Sequence, residues 1–288
     1  MPAILGIGTA QFGMKYGISN KDGQTPAHEV KNILTLAAQN GIRTLDTAHA
    51  YGSSEEALGC ALEEGHPFSI VTKTPVAAGA DPGAGLEQSL SRLKQKSIDG
   101  LLVHDPARLL SPEGPGLFKK LQEYKNRRLV KKIGVSVYTG GEIDRILDVY
   151  PIDLIQLPAS IFDQRLIRSG HLAKLKKAGI EVHARSIFLQ GLIFIPPSNL
   201  PAHFAPAKNT LLSFHEFLEK NNMAPAHAAI SFICGITGID AAICGVNNHL
   251  QLQELCLFYK ERLTHPGLAD FAIDDKRIVN PSFWKGGL

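Results

Sequence analysis

Eight short apolar runs recur along this chain, separated by segments of helical period, and that alternation restricts the fold more than any other feature. The runs lie at residues 4–8, 44–46, 69–72, 98–103, 132–136, 154–157, 181–184 and 241–244. They are rich in leucine and β-branched residues and carry little polar alternation, which is the pattern of parallel strands buried on both faces. Parallel neighbours need a crossover between them, and the intervening segments are long enough to supply helices. Eight such strand–helix units close most naturally into an α/β barrel of the (β/α)8, or TIM, type. With 288 residues, 44% of them hydrophobic, residues 1–288 are expected to form a single barrel domain around one large core.

The helical segments carry their own local signals. Val30, Ile33, Leu34, Ala37 and Ala38 make one apolar stripe that stops at Asn40-Gly41, a pair suited to a left-handed cap. Lys177-Ala-Gly179-Ile180 repeats that ending. Ser53 followed by Glu56 predicts a capping box before the apolar face of Ala57, Leu58, Ala61 and Leu62, and Ile143, Ile146 and Leu147 mark a short fifth helix. Two segments break the rhythm. Residues 190–207, with Pro196, Pro197, Pro201 and Pro206, read as a long loop after the seventh strand; the tail beyond Tyr259 follows the last helix.

Charge and cysteine usage exclude several classes. A formal charge of +3 is spread along the helices, so no basic footprint for nucleic acid is present. Cys60, Cys234, Cys244 and Cys256 sit in apolar patterns without metal-ligand spacing and are expected to be buried free thiols of a reducing compartment. No leader pattern and no membrane-spanning run is visible, so the expectation is a cytoplasmic protein that spans no membrane.

In a barrel of this kind the carboxyl ends of all strands open on one face, so residues that end successive strands become neighbours. Asp46, Tyr51, Lys73 and His104 stand at the ends of the second, third and fourth strands. A phenol with a pKa of about 10 gives up its proton poorly at neutral pH unless a cation lies close. Lys73 is the expected cation, kept charged by Asp46, and His104 is expected to donate to a substrate oxygen or assist proton transfer. Singly, each has a structural reading: a capping Asp, a packed Tyr, a solvated Lys. Together they form a proton-transfer set, which supplies no electrons, so reduction calls for a hydride donor such as a nicotinamide cofactor. Gly6-Ile-Gly8-Thr-Ala-Gln11 has glutamine where a dinucleotide fingerprint has its third glycine, so the cofactor would have to lie in the barrel mouth.

At these residues the chain resembles the aldo-keto reductase family, from Leu5 to about Glu254. Leu5-Gly-Ile-Gly-Thr-Ala-Gln-Phe-Gly, Leu45-Asp-Thr-Ala-His-Ala-Tyr-Gly with Ser54-Glu55, Val103-His-Asp-Pro, Ile133-Gly-Val-Ser136 and Leu154-Ile-Gln156 match its strands in order. The resemblance implies reduction of a small-molecule aldehyde or ketone to an alcohol with NADPH, or NADH, and without a metal. Tyr51 would be the proton donor, Lys73 and Asp46 its tuning pair, and His104 the group that orients the carbonyl. Ser136 and Gln156 would hold the nicotinamide carboxamide. Ile243-Cys-Gly-Val-Asn-Asn-His-Leu-Gln-Leu-Gln-Glu254 matches the adenine-end segment, which makes Gly245, Asn247, Gln251 and Glu254 cofactor contacts.

Three departures from the family pattern stand out. Arg185 occupies the place of the aromatic that stacks on the nicotinamide, where its planar guanidinium would lie over the ring or pair with the pyrophosphate. Val137 replaces the common Asn. Gly245 and Gln251 fall where a Lys and an Arg often grip the 2′-phosphate. Those departures motivate a second reading, a cofactor-binding sensor or regulatory subunit with slow turnover. A third, a metal-dependent hydrolase built on His49, His104, Asp46 and Asp105, has Lys73 against it, because an ammonium in the mouth repels a divalent ion. The substrate itself and the oligomeric state are not legible at this level.

Overall fold

The computed structural model describes residues 2–76 and 82–284. Eight parallel strands close into a barrel in chain order, each hydrogen-bonded to the next and the eighth to the first. They are β1 (Ile4–Gly8), β2 (Thr44–Asp46), β3 (Ser69–Lys73), β4 (Ile98–Val103), β5 (Val130–Ser136), β6 (Leu154–Pro158), β7 (Glu181–Arg185) and β8 (Ala241–Gly245). The large core lies between this sheet and the surrounding helices. Inside the barrel the apolar filling is small, a cluster of Val71, Leu102 and Leu154. Glycine makes that packing possible: a Cβ on Gly134 would meet the Leu154 carbonyl oxygen at 1.7 Å.

Local chemistry explains the helices as well as their ends. In Ala27–Gln39, Val30, Ile33, Leu34 and Ala37 are buried, and Gly41 then turns the chain at φ +75°. Gly179 does the same at φ +71° before β7. The predicted box at Ser53 does not form. Ser53 has φ −92° and ψ 20° and makes no cap bond; its hydroxyl instead takes a bond from Gln24 Nε2 at 3.0 Å. A complete capping box stands at Thr139 and Glu142, which opens Gly140–Leu147.

Two further expectations are corrected. Cys60 is exposed, because it lies on the outer side of Ser54–Ala61, whereas Cys234, Cys244 and Cys256 are buried; all four are free. Residues 190–207 are no open loop: 3₁₀ turns at Leu189–Phe194, Pro197–Asn199 and Ala202–Ala207 bury Leu192, Ile193, Phe204 and Ala207. Trp284, in the tail, packs edge-on against Phe204 with ring centroids 4.8 Å apart and donates to the Ile278 carbonyl. Among the described residues, no helix is long and apolar enough to cross a membrane.

Candidate active site

The carboxyl ends of the strands open into one cleft of about 640 Å³. Its lining includes Asp46, Tyr51, Lys73, His104, Ser136, Gln156, Arg185, Gly245, Asn247, Gln251 and Glu254. Strand register does most of this gathering. Gly8 pairs with Asp46 and with Gly245, Lys73 with Leu102, Ser136 with Gln156, and Pro158 with Arg185, so the polar ends share one rim.

Asp46 and Lys73 form a buried ion pair at the floor. Lys73 Nζ donates to Asp46 Oδ1 at 2.7 Å, to Oδ2 at 2.8 Å and to the Thr47 carbonyl at 2.9 Å. Three acceptors for one nitrogen match an ammonium rather than a neutral amine. Burial pulls the Lys73 pKa below its ordinary value, and the Asp46 carboxylate opposes that pull. Gln156 Nε2 donates to Asp46 Oδ1 at 2.7 Å, which leaves Gln156 Oε1 buried without a partner.

Tyr51 sits on a turn that two glycines hold in place. A Cβ on Gly13 would lie 1.9 Å from the Tyr51 carbonyl oxygen, and Gly52, at φ +57°, would meet the Gly13 carbonyl at 2.3 Å. Behind the turn, Ser54 Oγ donates to the Thr9 carbonyl at 2.8 Å and Thr9 Oγ1 donates to the Asp46 carbonyl at 2.9 Å, tying β1, β2 and the turn together. The Tyr51 ring lies 4.9 Å from Lys73 Nζ and 6.0 Å from the His104 ring, edge-on to it. Its pKa is raised, by burial first and the Asp46 carboxylate second, and Arg185 is the cation that opposes the rise. The lowered value expected for a phenol beside Lys73 is not found in the resting site, because burial outweighs the nearby positive charge. The phenol is therefore protonated throughout the neutral range.

Burial, then the positive charge of Lys73, pushes the His104 pKa down from 6.5 to about 4. The ring is neutral at pH 7; Nδ1 is buried and unpaired, which leaves Nε2 to meet a ligand. Between those two pKa values the unfolded chain binds a proton that folded His104 refuses. Stability therefore falls as pH drops from about 6.5 toward 4, by roughly 3 kcal/mol from this group. Urea melts across that range should show the loss in the parent protein and a flatter profile in His104→Gln. Parallel profiles would refute the assignment.

Arg185 is held from several sides. It donates to Ser136 Oγ at 3.3 Å, to the Val137 carbonyl at 3.1 Å and to Ser186 Oγ at 3.3 Å, and its guanidinium stacks 4.2 Å from the centre of the Tyr138 ring. Tyr138 was not singled out from the sequence, although strand alternation sets it on the same face as Ser136. Gln11, Tyr16, Ser186, Gln190 and Ser282 also line the cleft, whereas Trp284 does not. His49 and Asp105 are outside it. His49 Nε2 pairs with Gln88 Oε1 at 3.1 Å and Asp105 caps Pro106–Leu109, so the set for a metal-dependent hydrolase is not assembled.

The aldo/keto reductase family model matches residues 4–271, and the chain belongs to that family. Its curated relatives include aldo-keto reductase YhdN of Bacillus subtilis, 29% identical over 180 residues that cover 57% of this chain and 52% of that protein. D-galacturonate reductase of Hypocrea jecorina is 36% identical over 152 residues, 43% of this chain and 48% of that one. The chain spans about half the length of the curated relatives it matches. Among solved structures, holo aldo-keto reductase AKR11C1 from Bacillus halodurans superposes with TM-score 0.74 at 18% identity, over 98% of this chain and 94% of the other. Glycerol dehydrogenase AKR11B4 from Gluconobacter oxydans gives 0.71 at 22%, over 96% and 92%. Both show the shared barrel.

Proposed function

We propose that this chain is an NAD(P)H-dependent oxidoreductase that reduces an aldehyde or ketone to an alcohol, with Tyr51 as proton donor. One observation carries the reading: a protonated phenol, a buried ammonium–carboxylate pair and a neutral imidazole meet in one cleft. The cleft also fits a dinucleotide. Gln156 Oε1 at the barrel floor and Asn247 Oδ1 beyond β8 are buried acceptors without donors, suited to a carboxamide N–H and an adenine amine. Ser136 and Arg185 flank the first site, and Gly245, Gln251 and Glu254 the second.

When bound, the nicotinamide supplies the hydride. His104 Nε2 donates a hydrogen bond to the carbonyl oxygen, which polarises it and fixes its distance from the phenol. Tyr51 gives its proton to that oxygen as the C–H bond forms, and the Lys73 ammonium beside the ring stabilises the phenolate that develops. Asp46 keeps the ammonium charged and in place. Mixing the protein with NADH or NADPH and a panel of aldehydes and ketones should give stoichiometric alcohol with loss of dihydropyridine absorbance. A panel that leaves the reduced cofactor untouched, while the barrel is folded, would sink the proposal.

A further inference from the structure

Charge is distributed unevenly along the cleft. Its only lysine and arginine among the described residues are Lys73 and Arg185, and both stand at the reacting end, bound to Asp46 and to the β5 terminus. The part of the lining around Gly245, Val246, Asn247, Gln251 and Glu254 has no cation and one carboxylate among the described residues. The positions that a cation could take there are filled or engaged by neutral groups. A Cβ on Gly245 would come within 2.5 Å of the Gln11 side-chain amide, which occupies that space. Gln251 turns its Oε1 back to accept from the Asn247 backbone at 2.8 Å, inside the first turn of His249–Lys260.

A carboxylate outside the cleft lining engages the same helix start. Glu29 accepts from the His249 backbone N–H and from its Nδ1, both at 2.9 Å, so the imidazole is already committed to an acid. Those bonds hold the Glu29 carboxyl well below its usual range and keep it ionised. A phosphate dianion placed at this end would lose its water without gaining an ion pair, and would face the Glu254 carboxylate. A ribose with two free hydroxyls meets amides and a carboxylate that can accept its protons.

We infer that the nucleotide end of the cleft is built for an adenosine ribose without a 2′-phosphate, so that the protein uses NADH in preference to NADPH. This rests on the oxidoreductase reading above. Calorimetric titration of the full chain with each reduced cofactor tests it without reference to any substrate. NADH should bind roughly tenfold or more tighter than NADPH, and the gap should narrow at high ionic strength as the Glu254 carboxylate is screened. Gln251→Arg, which offers a guanidinium at the first helical turn, should improve NADPH binding relative to NADH by about tenfold. Equal affinities, or tighter NADPH, would overturn the inference and leave the oxidoreductase reading intact. Failure of both cofactors to bind would remove both.

Discussion

Tyr51→Phe should lower kcat for carbonyl reduction by roughly a thousandfold while leaving reduced-cofactor affinity within about twofold, the scale of loss expected when a positioned general acid is removed. The ring stays, so its contact with the Lys73 ammonium and its edge-on approach to His104 survive. Only the hydroxyl goes. Because burial and Asp46 raise the phenol's pKa, the proton is present throughout the neutral range, and the parent rate should show no alkaline break from Tyr51 there. The acid limb belongs to His104, with its break near 4 rather than 6.5. Steady-state rates for the two proteins, with cofactor titrations beside them, check the claim. A variant that keeps a tenth of the parent kcat would mean that another group donates the proton.

The strands were readable because parallel barrel strands are buried on both faces and so appear as unbroken apolar runs. β1, β2 and β4 begin and end where those runs do. β3, β6, β7 and β8 each continue one residue farther, to Lys73, Pro158, Arg185 and Gly245. Hydrophobicity stops there, but backbone pairing continues, and the added residues are functional candidates at three of those four ends. The helix start at Ser53 misled for a related reason. Its backbone angles are set by the Gly13–Gly52 contact behind Tyr51, a long-range restraint that a local capping pattern cannot register. Residues that approach from other elements were invisible too. Gln11 fills the space over Gly245, and the Glu29–His249 pair joins positions 220 residues apart. The raised pKa of the phenol was hidden as well, because a sequence does not show how deeply Tyr51 is buried.

Lys73→Met should destabilise the folded protein by about 3–5 kcal/mol, because it leaves Asp46 buried without its cation. Asp46 is 3% exposed and Lys73 is 1% exposed, so water cannot take the partner's place. Adding Asp46→Asn to that variant should restore most of the loss. The asparagine oxygen still accepts from Gln156 Nε2, and the site then holds no uncompensated charge. Turnover should not return with stability, since neither variant has an ammonium to stabilise a developing phenolate at Tyr51. Urea melts of the parent, the single variant and the double variant, with kcat from the same preparations, separate the two roles. A pair kept for stability would give a double variant as weak as the single one; a pair kept for chemistry gives a stable barrel that does not turn over. The geometry favours the second outcome: three acceptors crowd one buried ammonium 4.9 Å from the phenol ring, and a neutral, well-packed pair would fill that space without desolvating a charge.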